Sequence, residues 1–121
     1  NKNNDKLYDA DVCEVFIKND DLNHYFEIEV APNGALFFAN VENNNGKTTL
    51  EMIDDFYFES SAKISKKFYK VIIKFPLNKL NTKSIKFNAF RIDTDSEKTN
   101  KHLFALNPTL CKSFHVLDYI K

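Results

Sequence analysis

Tryptophan is absent from this chain, and glycine, cysteine and proline are scarce, at two, two and three in 121 residues. So few glycines exclude a glycine-rich loop that cradles phosphate. The two cysteines, Cys13 and Cys111, lie far apart and belong to no CxxC pair, so no thiolate zinc cluster can be built from them. They read as two free core thiols rather than a disulfide. His24, His102 and His115 are scattered, at no metal-ligand spacing, and read as surface or loop residues. No apolar run approaches the ~20 residues needed to cross a bilayer as a helix. An excess of charge of either sign is also missing, because seventeen basic residues meet seventeen acidic ones. Nucleic acid and anionic membranes therefore have no electrostatic case as partners. No signal peptide shows, but the first residue is Asn1 rather than Met. The chain thus reads as a processed or excised piece of a larger protein, for which that absence says nothing.

What is abundant is aromatic and apolar. Twelve Phe and five Tyr, within 43% hydrophobic residues, favour a folded chain built of strands. At this length one domain, residues 1–121, has room for a sizeable core. Residues 68–93 organise it. Tyr69, Val71, Ile73 and Phe75 share one face of a strand that carries Lys70 and Lys74 on the other, with period 2. Pro76 ends that strand, since it cannot donate to a ladder. A turn with one helical winding follows. A second strand then runs back with Ile85, Phe87, Ala89 and Arg91 on one face. A guanidinium on a face that otherwise looks buried calls for a carboxylate partner, with Glu14, Glu27 or Glu29 the candidates.

Other strands follow the same rule. Cys13, Val15 and Ile17 alternate with Val12, Glu14 and Phe16. Phe26, Ile28 and Val30 point inward, while Tyr25, Glu27 and Glu29 point away. Pro32, Asn33 and Gly34 make a turn, and residues 35–41 return as the hairpin partner. Residues 42–47 read as a solvated loop, the neighbourhood of Met52 as a short helix, and residues 56–64 as a strand interrupted near Ser60 and Ser61. Residues 103–121 have no simple period. Strands at this spacing predict an all-β antiparallel β-sandwich, with Val15, Ile17, Phe26, Ile28, Val71, Ile73, Phe75 and Phe87 in its core.

Three carboxylate groupings attract attention. Asp54 with Asp55, and Asp93 with Asp95 and Glu97, offer oxygen ligands for a structural calcium, the one cofactor left open. A solvated turn is the simpler reading of both. Glu14, Glu27 and Glu29 are candidates for glycosidase-type paired acids, although carboxylates on an outer strand face are usually just solvated.

Four motifs occur in a telling order. They are Tyr8 followed by Val12-Cys13-Glu14-Val15-Phe16-Ile17; Tyr25-Phe26-Glu27-Ile28 with Pro32-Asn33-Gly34; Val71 to Pro76 with Phe87-Asn88-Ala89-Phe90-Arg91; and Asn107-Pro108-Thr109 with Phe114-His115-Val116. Together they resemble the family 9 carbohydrate-binding modules over most of the chain. The resemblance implies an antiparallel β-sandwich, without catalytic activity, that holds carbohydrate between two aromatic rings in an extracellular or cell-surface protein. It puts Tyr8 and Phe114 at the positions of the family's stacking tryptophans. It makes Glu14 the acceptor of sugar hydroxyls and Arg91 a polar residue of the same groove. The family has further strands before its first motif, and seven residues precede Tyr8 here. Two other readings stand beside this one: a structural or protein-interaction sandwich without a sugar site, which the missing tryptophan favours, and a hydrolase working through Glu14 and Glu27.

Overall fold

A computed structural model describes residues 3–4, 11–19, 23–80, 85–95, 100–111 and 113–121. The protein is an all-β antiparallel sandwich. Its strands are β1 (Val12–Asn19), β2 (His24–Val30), β3 (Leu36–Asn44), β4 (Lys47–Met52), β5 (Glu59–Ile64), β6 (Tyr69–Lys74), β7 (Ile85–Thr94) and β8 (Lys101–Ala105). Six of them form one sheet in the order β4-β3-β2-β1-β7-β8, and β5 pairs with β6 alone. The only helical pieces among the described residues are two single turns, Leu77–Lys79 and Leu117–Tyr119. No helix there is long and apolar enough to cross a membrane.

Register decides which side chains meet. In the antiparallel pairs Glu14 lies opposite Glu29, and Phe16 opposite Glu27. Across the other edge of β1, Glu14 faces Phe90 and Cys13 faces Arg91. Directly opposed residues project to the same side of a sheet. One face, here the hairpin face, therefore carries Val15, Ile17, Phe26, Ile28, Val30 and Phe38. The β5–β6 hairpin covers it with Ala62, Val71 and Ile73, joined by Phe75 and by Phe56, Tyr57 and Phe58 from the preceding connection. Phe38 is fully buried and meets the rings of Phe58 and Tyr57 edge-on, at 4.9 and 5.1 Å between centroids.

The opposite face is covered too, by the chain's own end. Phe16, Tyr25, Val41 and Phe90 pack with Ile120, and Phe114 and Leu117 join them. Phe87 and Lys121 exchange backbone hydrogen bonds of 3.2 Å, which fasten this tail beside β7. Asn88, fully buried, holds the preceding bend: its side chain donates to the Asn107 carbonyl and accepts from the Asn107 amide.

Several expectations are corrected. Residues 42–47 are not a loop: β3 runs on to Asn44, turns through Asn45 and Gly46, and returns as β4, so no helix forms near Met52. Both turn residues have positive φ, +54° and +90°, which suits the two-residue hairpin turn that matches strand twist. Residues 56–58 precede β5 instead of belonging to it, and β5 is unbroken through Ser60 and Ser61. Of the expected core, Ile17 and Ile28 are buried, and Val15, Phe26, Val71, Ile73 and Phe75 pack partly buried against them. Phe87 does not join them and is 45% exposed. It is on the hairpin face, opposite Ile17, but the two-stranded cover does not extend over it. The cysteines are free, as expected, yet Cys13 is only half-buried and Cys111 is exposed.

Candidate functional site

The tail covers one end of its face and leaves the other open. There lies a cavity of about 740 Å³, walled by Phe37, Leu50, Met52, Ile92, Leu103 and Phe114, with Lys101 and His115 at its margin. Its floor is acidic. Glu14 from β1 and Glu27 and Glu29 from β2 line it side by side, and one oxygen from each lies within 4.8 Å of the others. Strand register places them there: Glu14 and Glu29 are directly opposed, and Glu27 is the next residue of β2 on the same face.

All three are buried, at 4%, 5% and 1% exposed. This corrects the expectation that Glu27 and Glu29 point into solvent. Both faces of β1, β2 and β3 are covered, so these strands have no outer face. Burial raises their affinity for protons, because a carboxylate loses its hydration in an apolar surrounding. Burial, then repulsion from Glu14, lifts Glu27 from the ordinary 4.5 to about 8. Glu29 is lifted to about 7, again by burial first, against a hydrogen bond with Glu14 that pulls it down. Glu14 itself is held well above the usual carboxylate range, by burial and then by its contacts with Glu29.

His115 closes the side of the cluster. Its ring stacks on Phe16 at 4.9 Å, Nδ1 is hydrogen-bonded to the Tyr25 hydroxyl, and Nε2 stands 3.9 Å from Glu27 Oε1. Burial pushes its pKa down, which favours the neutral imidazole. The expectation of a surface or loop histidine is therefore corrected for His115. Asn43 donates to the His115 carbonyl at 3.0 Å and so ties the tail to β3.

The sequence-predicted site residues divide. Glu14 and Phe114 line the same cavity. Phe114 also stacks on Phe90, with centroids 4.1 Å apart and planes 19° apart, so one side of its ring is already used. Arg91 does not belong with them. It is on the hairpin face, opposite Cys13, with its guanidinium 4.5 Å from the centre of the Tyr69 ring. Its acid partner is Asp93, at 2.7 Å, rather than Glu14, Glu27 or Glu29. The offset of one residue between Arg91 and the inward-facing Phe90 and Ile92 accounts for this correction. Tyr8 lies outside the described residues, as does Glu97. Among the described residues, the one group of three or more His, Cys, Asp or Glu side chains close enough to share an ion is Glu14, Glu27 and Glu29. Phe37, Leu103 and His115 were missed as lining residues. The unbroken apolar run of residues 35–39 was the available signal that β3 is covered on both sides.

Compared with protein-family models, with curated proteins and with solved structures, the chain matches none.

Proposed function

We propose that this domain is a non-catalytic carbohydrate-binding module that takes its sugar in the cavity of the tail face. The observation that carries the reading is an apolar-walled cavity of sugar size with an aromatic ring, Phe114, in its wall and buried carboxyl groups on its floor. A pyranose presents an apolar C–H face that packs on a ring, and hydroxyls that need acceptors once they leave water. Glu14 and Glu29 offer such acceptors, since each has a buried Oε2 without a hydrogen-bond partner. Binding is favoured over hydrolysis because the acids form a cluster of three, one oxygen of each within 4.8 Å of the others, whereas a glycosidase works with two carboxyls that flank the scissile bond.

Stacking on phenylalanine buries less surface than stacking on indole. The expected dissociation constant is therefore on the order of 0.1–1 mM. Calorimetric titration with mono- and disaccharides tests this. Glu14→Gln and Phe114→Leu should each weaken binding by roughly tenfold while the chain stays folded. Failure of every sugar to bind at tens of millimolar would leave the structural sandwich as the better reading. A specific feature favours that second reading: Phe104, Leu106 and Leu110, along and after β8, are large apolar residues more than half exposed.

A further inference from the structure

We propose that Glu14, Glu27 and Glu29 together hold one divalent cation at the cavity floor, with calcium the ion of best fit. The number of acids is not the argument. Two of them have an unmet need. Glu14 and Glu29 are more than nine-tenths buried, yet Oε2 of each is shielded from water and has no hydrogen-bond partner. Folded chains rarely leave a buried polar atom so placed unless something outside the polypeptide completes it. Both side chains line an open cavity, so a guest can reach them.

The spacing suits a single ion. Calcium takes oxygen ligands at about 2.3–2.6 Å, so oxygens on opposite sides of one ion stand ~4.6–5.2 Å apart and adjacent ones closer. One oxygen from each of the three acids falls within 4.8 Å of the other two, which leaves all three free to surround one centre. The donor set is entirely carboxylate oxygen, and hard oxygen donors select calcium, magnesium or manganese over zinc or copper. Magnesium demands near-ideal octahedral geometry at about 2.0–2.1 Å, a harder condition for side chains fixed by the register of two neighbouring strands. The cavity above the acids leaves room for the waters that complete the shell. A double positive charge also offsets the mutual repulsion that three buried carboxylates suffer.

The cation does not depend on the sugar reading, although both draw on the Oε2 atoms of Glu14 and Glu29. The test accordingly uses the metal alone. The full chain is stripped with a chelator, dialysed, and titrated with calcium by calorimetry. A parallel titration with terbium follows luminescence sensitised by tyrosine, of which Tyr25 is two residues from Glu27 on the same strand face. One ion per chain is expected, with a dissociation constant between about 10⁻⁶ and 10⁻³ M. Glu29→Gln, close in size and able to stay buried, should weaken it roughly tenfold or more, and Glu14→Gln/Glu29→Gln should abolish it. Asp54→Asn/Asp55→Asn should leave it unchanged. Absence of binding by a folded protein at about 10 mM calcium overturns the proposal. So does binding that survives the double glutamine variant, or that disappears with the aspartate pair. A result with calcium but no sugar would overturn only the carbohydrate reading, and the reverse result only this one.

Discussion

Raising the pH of the metal-free protein from 6 to 9 should destabilise it, which is the reverse of what salt-bridged carboxylates do. In the folded chain Glu27 holds its proton up to about pH 8 and Glu29 up to about pH 7, whereas both release it near 4.5 when exposed. Over this interval the folded state binds more protons than the unfolded one, so the free energy of unfolding falls as pH rises. The contribution is fully present below about 4.5 and is lost as pH passes through 7 and 8. One pH unit per group is worth ~1.4 kcal/mol. From pH 6, Glu29 loses about one unit's worth and Glu27 about two, on the order of 4 kcal/mol in all. That is a large share of the roughly 5–15 kcal/mol by which domains are stable. Of the other groups on this face, His115 is held neutral by burial and works the other way only below its ordinary 6.5. Thermal unfolding followed by circular dichroism, in chelator at each pH, should show Tm falling by on the order of 15 °C between pH 6 and 9. Glu27→Gln, which cannot ionise, should flatten most of that slope. A Tm that is level or rises over this interval would refute the claim that these acids are buried and protonated.

Two other perturbations separate the core from the site. Phe38→Ala removes a fully buried ring with edge-on aromatic neighbours, so a loss of ~3–5 kcal/mol in denaturant unfolding is expected. Arg91→Ala removes the ring contact with Tyr69 and the pair with Asp93. Because that side chain is 43% exposed, stability should drop by only ~0.5–1.5 kcal/mol. Calcium and sugar titrations of the same variant should be unchanged, since Arg91 is on the opposite face.

How much of this was legible beforehand follows from the range over which each signal acts. Strand positions and the all-β class are local matters. Alternation in residues 12–17, 25–30 and 69–75, punctuated by Pro32, Gly34 and Pro76, determines them from the sequence alone, because side chains on a strand repeat every two residues. The β3–β4 hairpin was also local, since Asn45 and Gly46 are the residues such a turn prefers. The polar stretch around it hid the strands. Asn43 looks like loop, yet it is buried because its side chain binds the Gly46 amide and the His115 carbonyl. Asp93, two residues along the same face from Arg91, was likewise the simplest acid partner.

What sequence could not determine was the fate of the second face. Alternation puts Glu27 and Glu29 on one side of their strand, but it does not say whether that side meets water. The cover is residues 113–121, remote in sequence and without a period of their own, held by Phe114, Leu117 and Ile120 against Phe16, Tyr25 and Phe90. Pairing between β1 and its neighbours then decided the rest. It aligned Glu14 with Glu29 and Phe90, and Arg91 with Cys13. A register shift of one residue would have sent the acids to the hairpin face and Arg91 to the cavity, because neighbouring positions on a strand point to opposite sides. Burial by a distant segment and registry between strands are properties of the folded chain, and they alone turned three unremarkable glutamates into one acidic floor.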